Sequence, residues 1–170
     1  DHVFVDRFSW NFTEPERGDI TVFITDGLTT RNDKALNGRY YIKRLVGLPG
    51  DELKIKNGKL YLRKPGRDNF SVVDDDIDPA FERLYSGKSG YEGYSNPSIN
   101  ERRKTQPQYL LHGQDVYKVP EGRYFMLGDN SSHSLDSRFW GTVPRRNLVG
   151  QAALVWWPFS NRWGLADHRY

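Results

Sequence analysis

Short runs of alternating apolar and polar residues dominate the chain and predict strands rather than helices. Residues 20–24 are β-branched and aromatic, residues 40–46 form a second run, and residues 151–157 form the last clear run before Pro158. No amphipathic pattern in the sequence extends beyond about three helical turns. The pattern therefore predicts a mostly β protein.

Turn residues separate several of these runs. Residues 49–50, Pro-Gly, suit the two central positions of a type II turn. The alternating residues 53–56 and the run at 59–62 flank residues 57–58, Asn-Gly, which is the strongest short-range signal for a β-hairpin. These signals favour antiparallel pairing.

The pattern is lost between residues 64 and 119, where the sequence is polar and rich in Gly, Tyr, Ser and Asn, and it returns at residues 122–127. A structureless loop of this length is implausible inside a compact domain, so we expect an irregular, β-rich inserted subdomain. Residues 1–63 and 120–170 are then expected to form one core, built as a coiled antiparallel β-sheet or barrel.

Composition narrows the class of protein. The chain has 170 residues, of which 14% are aromatic, and this argues for one folded domain and against disorder. The absence of cysteine excludes a disulfide framework and a thiolate nucleophile. No apolar stretch is long enough for a membrane-spanning helix. The chain begins at Asp1 without an initiator Met, so we expect it to be part of a longer protein.

The charged residues and the histidines do not form a pattern typical of a metal, cofactor or nucleic-acid site. The net charge of +3 is weak evidence for a polyanionic partner, and the basic run at 102–104 lacks the interleaved aromatic residues that stack on bases. The acidic run at 74–78 lacks the glycine and distal glutamate of a calcium loop. The four histidines show no metal-ligand spacing. We therefore expect no cofactor, no metal and no nucleic acid.

Lys43 is the first candidate for chemistry. Alternate residues of a strand share a face, so Lys43 points with Tyr41 and Leu45 toward the apolar side. Burial there would lower the pKa of the lysine and allow it to act as a general base near neutral pH. The strand pattern alone favours the other interpretation, a lysine whose stem packs on apolar surface while its amine reaches water.

A polar loop at residues 128–141, GDNSSHSLDSRFWG, is the second candidate. Composition favours an ordinary turn in which Ser, Asp and Asn bond their own backbone. The alternatives are a Ser/His/Asp triad or a polar cradle for a base that lies elsewhere. A triad of Ser132, His133 and Asp136 is disfavoured, because adjacent side chains seldom converge in the required geometry.

Taken together, three segments resemble the type I signal peptidases. Residues 41–51, YIKRLVGLPGD, look like the lysine box of that family, and residues 128–141 resemble its C-terminal box. Residues 17–23, RGDITVF, resemble the short box that precedes the lysine. All three occur in the family's order with similar spacing, and the insertion contributes almost nothing to the match.

The resemblance implies a serine endopeptidase that removes signal peptides from exported preproteins after small residues, at Ala-x-Ala sites, with a Ser/Lys dyad. It implies that Lys43 takes the proton of the nucleophilic serine and later protonates the leaving amine. Ser134 would hydrogen-bond and position Lys43, and Asp136 and Arg138 would form a supporting ion pair. The parent protein would be anchored in the cytoplasmic membrane, with its catalytic domain on the extracytoplasmic face.

The nucleophile box of the family is absent from the chain. In the family the serine is followed by Met-x-Pro-Thr, and residues 1–5 look like the segment directly after that box. We therefore expect the nucleophile upstream of Asp1 and expect this chain alone to be inactive. Ser9 and the loop serines lack that context. A second departure is Ser-Ser-His at residues 131–133, where many members carry Arg and Asn.

Two other classes of function stay open. One is a catalytically inactive relative that serves as an assembly or interaction protein; the presence of both Lys43 and Ser134 argues against it. The other is a self-cleaving stress-response repressor, which also uses a Ser/Lys pair on a related β fold. That class lacks the long insertion and the Gly-Asp-Asn box.

Two aromatic clusters have two interpretations. The first is Phe8-x-Trp10-x-Phe12, and the second is residues 156–159 with Trp163. Alternate aromatics on strands are usually core residues. Members of the resembled family dock on the bilayer through apolar surface beside the active site, and Trp is favoured at such interfaces. Contact with a membrane surface is the alternative for both clusters.

Overall fold

The structure, a computed structural model, describes residues 2–30, 36, 38–74, 78–88, 91–99, 105–157 and 164–165, with the backbone alone at 2, 154–157 and 164–165. Its strands are β1 (His2–Asp6), β2 (Ile20–Ile24), β3 (Tyr40–Gly47), β4 (Glu52–Lys56), β5 (Lys59–Arg63), β6 (Ser71–Val72), β7 (Tyr117–Lys118), β8 (Arg123–Leu127), β9 (Val143–Pro144), β10 (Leu148–Trp157) and β11 (Gly164–Leu165). The helices are α1 (Ala80–Leu84) and α2 (Ser137–Trp140), with 3₁₀ turns at Ser9–Asn11, Ser131–His133 and Arg145–Asn147.

These strands form two antiparallel sheets. The first has the order β1-β10-β2-β3-β8-β9, with β11 paired to β10, and the second has the order β6-β5-β4-β7. The predicted mostly β, antiparallel class is confirmed. Within the described residues the first sheet does not close into a barrel, since β1 and β9 stand at its two ends. Of the two predicted arrangements, the structure has the open sheet.

The two predicted turns form with the expected backbone geometry. The Asp51 N–H donates to the Leu48 carbonyl over 3.1 Å, and Gly50 has a φ of 83°, as the third position of a type II turn requires. Asn57 and Gly58 have φ values of 50° and 77°. Positive φ at both central residues is the signature of the type I′ turn, which matches the twist of the β4–β5 hairpin.

Strands β3 and β8 lie between the two hydrophobic cores, because successive side chains of a strand point to opposite faces. Val46 and Phe125 belong to a core that includes the inner side chains of β4 and β5. Leu45 and Met126 belong to a second core with Phe23 and residues of α2. All four of these β3 and β8 side chains are fully buried. Lys43 has the same parity as Leu45.

Residues 64–119 contain β6, α1 and β7 among stretches without regular structure. The second sheet pairs β6 and β7 with the β4–β5 hairpin, so it takes strands from both sides of the proposed boundary at residue 64. Residues 75–77 of the acidic run and the basic run at 102–104 lie outside the described residues. None of the helices in the described part of the chain is long and apolar enough to cross a bilayer.

Candidate active site

Lys43 lies at the end of an open strand edge. Strand β2 pairs with β3 from Tyr40 to Arg44, whereas β8 pairs with the other side of β3 only from Arg44 onward. Among the described residues, no strand occupies that second side of β3 before Arg44. Ile42, on this stretch, is 42% exposed. The edge can therefore accept an extended peptide by strand addition.

Burial lowers the pKa of Lys43 below its ordinary value, because an apolar surrounding disfavours the charged amine. The carboxylates of Asp136 and Asp129 oppose this effect and raise the pKa in part, while the Arg138 guanidinium lowers it further. Lys43 Nζ lies 5.6 Å from the centroid of the Tyr41 ring, so the two side chains share a face as predicted. A lysine of this kind has a larger neutral fraction near pH 7 than a solvated lysine.

Gly128 separates Lys43 from Ser134. A Cβ placed on Gly128 would lie 3.5 Å from Lys43 Cδ and 2.7 Å from Ser134 Cβ. Any larger residue at this position would therefore clash with Ser134, and glycine lets Lys43 and Ser134 keep their positions. Ser134 Oγ is buried and has no hydrogen-bond partner among the described residues. A buried hydroxyl without a partner is uncommon in folded proteins, and a catalytic role is one of its recognised explanations.

Asp136 and Arg138 form a fully buried ion pair directly behind this loop. The pair closes at 2.7 Å between Arg138 Nη2 and Asp136 Oδ2, and both side chains are at most 1% exposed. Asp136 also accepts hydrogen bonds from Arg138 Nε and from the backbone N–H of Gly128. The carboxylate thus fixes the start of the loop next to Lys43.

The remaining guanidinium donors of Arg138 reach the insertion and the 3₁₀ turn. Nη1 donates to the Ser95 carbonyl over 2.7 Å and to Ser131 Oγ over 2.8 Å, and Nη2 donates to the Ser131 carbonyl over 2.7 Å. Ser131 Oγ also accepts the backbone N–H of Ser95 over 3.0 Å. All five N–H donors of the guanidinium are therefore satisfied. Sequence reasoning missed Ser95 and the bridging role of Ser131.

A second ion pair fixes the loop to β3 from the other side. Arg44 Nε and Nη2 donate to the two carboxylate oxygens of Asp129 over 2.9 Å and 2.8 Å, and Nη1 donates to the Gly18 carbonyl over 2.7 Å. Burial alone would lower the pKa of Arg44, but Asp129 outweighs this and raises it. Sequence reasoning did not single out this pair, although both residues lie inside the motifs that it quoted.

Two clefts meet at this loop. The smaller, named here the Lys43 cleft, has a volume of about 260 Å³ and is lined by Ile20, Ile42, Lys43, Arg44, Gly128, Asp129, Asn130, His133 and Ser134. The larger, named the insertion cleft, has a volume of about 560 Å³ and is lined by Gly58, residues 92–96 and residues 130–133. Asn130 and His133 line both clefts.

The Ser/His/Asp triad that the loop sequence left open does not form. Ser132 Oγ lies 2.9 Å from His133 Nδ1, and both side chains are exposed. Asp136 is buried and is bound to Arg138 instead. Ser9 is likewise engaged elsewhere, since its hydroxyl donates to the Asp6 carboxylate.

The first aromatic cluster divides between core and surface. Trp10 is buried, whereas Phe8 and Phe12 are 70% and 76% exposed, and their rings contact each other at a tilt with centroids 5.0 Å apart. Phe4 on β1 is also exposed, at 57%. Of the second cluster, residues 158, 159 and 163 lie outside the described residues, and the side chains at 156 and 157 are not described.

The arrangement brings Lys43, Ser134, Asp136 and Arg138 to one loop and one strand end. An amine with a lowered pKa lies in a cleft beside a buried hydroxyl and at the end of a strand edge that can bind a peptide. Such an amine can remove a proton from a hydroxyl nucleophile and return it to a leaving group. The geometry therefore suits acyl transfer with a lysine base.

The chain matches one protein-family model. Residues 1–157 match the model described as signal peptidase, peptidase S26. The match spans both sheets of the structure.

Curated relatives are signal peptidases. The chain is 32% identical over 159 residues to the probable signal peptidase I-2 of Synechocystis sp.. This alignment covers 93% of this chain and 56% of the relative. It is 31% identical over 160 residues to signal peptidase I of Leptolyngbya laminosa, covering 94% of this chain and 62% of the relative. The chain thus spans less than two thirds of the length of either relative.

Among solved structures, the chain is similar to the crystal structure of a signal peptidase I from Enterococcus faecalis. The TM-score is 0.51 and the sequence identity is 25%. The match covers 83% of this chain and 98% of that structure. The similarity includes the antiparallel β architecture described above.

Proposed function

The chain belongs to the peptidase S26 family of signal peptidases, and on this basis we propose that it forms part of a serine endopeptidase that removes signal peptides from exported preproteins with a Ser/Lys dyad. The observation that carries this proposal is Lys43, an amine with a lowered pKa inside the matched lysine box. It lies in a cleft with Ser134 and beside an open strand edge.

The nucleophilic serine of this enzyme lies in a segment that precedes Asp1. Two facts support this position. The family's Ser-Met-x-Pro-Thr context is absent from the sequence. The curated relatives are longer than the matched region, since the match covers only 56% and 62% of the first two, so proteins of this family have room for a further segment. The chain without that segment is then inactive.

In the proposed reaction, the neutral amine of Lys43 removes the proton of the serine hydroxyl as the serine oxygen attacks the scissile carbonyl carbon. The tetrahedral intermediate collapses, the C–N bond breaks, and the Lys43 ammonium gives its proton to the departing amine. Lys43 then takes a proton from water as the water oxygen attacks the acyl-enzyme ester. The bond to the serine oxygen breaks, the Lys43 ammonium returns its proton to that oxygen, and the signal peptide leaves with a new C-terminal carboxyl group. Lys43 must be neutral at the start of the reaction, and burial favours the neutral amine because it lowers the pKa of Lys43.

Ser134 and the Asp136–Arg138 pair act as positioning residues. Once the nucleophile segment is in place, the unpartnered Oγ of Ser134 can donate a hydrogen bond to neutral Lys43 Nζ or accept one from it. Asp136 holds the N–H of Gly128 at 3.1 Å and so fixes the loop that carries Ser134. Arg138 fixes the same loop through Ser131.

The open edge of β3 is the proposed binding strand for residues that precede the scissile bond. An extended peptide would pair with the backbone of residues 40–43, and its alternate side chains would enter shallow pockets. Ile42 and Tyr41 stand on opposite faces of this stretch. We propose that pockets bounded by such side chains admit little beyond Ala, which would give cleavage after small residues.

The parent protein is proposed to be anchored in the cytoplasmic membrane, with this domain on its extracytoplasmic face. The exposed rings of Phe8 and Phe12, which contact each other, support contact with a membrane surface, because such an aromatic pair gains free energy when it leaves water. Exported preproteins are presented at that surface.

Cleavage of a signal-peptide substrate tests the proposal. The full-length protein and this chain would each be incubated with a peptide that contains one Ala-x-Ala site, and the products would be identified by mass spectrometry. We expect the full-length protein alone to cut after the second Ala. A folded, detergent-solubilised full-length protein that cuts nothing would favour instead a catalytically inactive relative that serves in assembly.

A further inference from the structure

The insertion cleft shares Asn130 and His133 with the Lys43 cleft. Its volume of about 560 Å³ falls within the usual range of ligand-binding clefts, about 300–1,000 Å³. One wall is the insertion segment 92–96 and the other is the 3₁₀ turn with Asn130. Neither the lysine base nor its ion pairs require a cleft of this size.

Both walls of this cleft are held in place by hydrogen bonds. The backbone N–H of Ser95 donates to Ser131 Oγ over 3.0 Å, and Arg138 Nη1 donates to the Ser95 carbonyl over 2.7 Å. The N–H of Tyr94 donates to the Gly58 carbonyl over 2.9 Å at the far end. The cleft is therefore preformed, and one of its walls is bound directly to the charge pair behind the Lys43 loop.

The lining offers polar groups suited to a peptide. Asn130, Ser132 and His133 are exposed and, among the described residues, bond through their side chains only to one another. Glu92 is exposed and is the one carboxylate among the described residues that line the cleft. These groups favour an extended backbone with a basic side chain.

Sheet pairing directs a bound peptide toward this cleft. A peptide can pair with β3 only as far as Lys43, because Leu127 of β8 occupies the same edge opposite Arg44. A chain that continues past Lys43 must leave the sheet at the loop that begins with Gly128. Asn130 and His133 of that loop line both the Lys43 cleft and the insertion cleft. The insertion cleft is the larger space beyond them.

We propose that the insertion cleft binds the first residues of the mature protein, which follow the scissile bond, as an extended peptide, and that Glu92 favours a Lys or Arg among them. The inference rests on the proposed function, since it assigns the β3 edge to the residues that precede the bond. It also gives the insertion a role, because residues 92–96 form half of the subsite.

Comparison of kcat/KM for two peptide substrates tests whether this subsite binds the residues after the scissile bond. Two peptides share one sequence through the Ala-x-Ala site; the short form ends one residue after the bond, and the long form adds several residues that include a Lys. With the full-length protein we expect kcat/KM for the long form to exceed that for the short form by on the order of tenfold. Ser132→Trp, which fills the cleft, should bring this ratio close to one. Asn69→Trp, at an exposed position that lines neither cleft, should keep it.

Removal of the charge on either partner tests the role of Glu92 in selecting a basic residue. Replacement of the Lys in the long peptide by Gln should lower kcat/KM by about two- to fivefold in the wild-type enzyme, as expected for an exposed ion pair. Glu92→Gln should remove this preference. Because Glu92→Gln is a conservative surface change, it decides the matter if Ser132→Trp is inactive toward both peptides.

The outcomes separate the subsite from the reaction. Equal kcat/KM values for the two peptides in the wild-type enzyme would overturn the subsite while leaving the peptidase intact. A ratio that survives both Ser132→Trp and Glu92→Gln would place the binding elsewhere and overturn it as well. If a folded enzyme cleaves neither peptide, the proposed function is wrong and the subsite with it.

Discussion

Asp136→Ala should be among the most destabilising single substitutions in this chain. The carboxylate is fully buried and accepts hydrogen bonds from Arg138 Nε, Arg138 Nη2 and the backbone N–H of Gly128. Its removal leaves the Arg138 guanidinium charged, 1% exposed and without its counter-ion. Breaking a buried pair from one side costs about 3–5 kcal/mol, which is a large share of the stability of a typical domain.

Urea unfolding measures this loss. With an m-value of about 1–3 kcal/mol per molar, the midpoint should fall by roughly one molar or more. Glu52→Ala is the matched control, because it breaks a carboxylate–arginine pair with Arg63 whose side chains are 24% and 35% exposed. That surface pair should contribute about 1 kcal/mol or less. If the midpoint of Asp136→Ala fell no further than that of Glu52→Ala, the assignment of Asp136–Arg138 as the anchor of the loop would be refuted.

Three further predictions concern other residues described above. Arg44→Lys cannot bind both oxygens of Asp129, so the free energy of unfolding should fall by about 1–3 kcal/mol, and an unchanged urea midpoint would contradict this. Because the pKa of Lys43 is lowered in the folded chain, the unfolded chain binds more protons between that pKa and the ordinary lysine value, and the free energy of unfolding rises with pH in this window. Lys43→Met should flatten this rise in unfolding curves measured across the window. An unaltered slope would argue against the lowered pKa. Phe8→Ser combined with Phe12→Ser should lower vesicle binding at least about tenfold in co-sedimentation, since each ring contributes about 1.5–3 kcal/mol when it leaves water; equal binding would place the membrane contact elsewhere.

Local sequence signals predicted the strands, the turns and the face of Lys43. The Asn57-Gly58 hairpin was predictable because Asn and Gly are among the few residue types that readily adopt two positive φ values in succession. The parity of Lys43 with Tyr41 followed from the pleat of the strand. Such signals need only neighbouring residues, and for this reason they can be read from one sequence.

The contacts that join the site to the insertion could not be predicted in this way. Ser95 and Arg138 are 43 positions apart, and Arg44 and Asp129 are 85 positions apart. Nothing in the local pattern around Ser95 distinguishes it from the other serines of a polar segment. Only the fold brings its backbone to the guanidinium, so the sequence predicted an inserted subdomain but not the contact of Ser95 with the site.

The roles of Ser134, Asp136 and Arg138 entered through the family resemblance and remain predictions. The structure brings these residues to the loop beside Lys43, and among the described residues it shows no hydrogen bond to the Ser134 hydroxyl. In the proposed enzyme, a segment that carries the nucleophilic serine would complete the site. The division of the chain at residues 64 and 119 also remains a proposal.

The most direct test of the account is the pH dependence of kcat/KM for cleavage of an Ala-x-Ala peptide by the full-length protein. Lys43 must lose its proton to act as a base, so the account predicts that activity falls toward acid pH along a single ionisation whose pKa lies below the ordinary lysine value. It also predicts that Lys43→Ala abolishes the activity. A flat profile between about pH 5 and pH 9, or near-normal turnover by Lys43→Ala, would contradict the lysine base and with it the proposed mechanism.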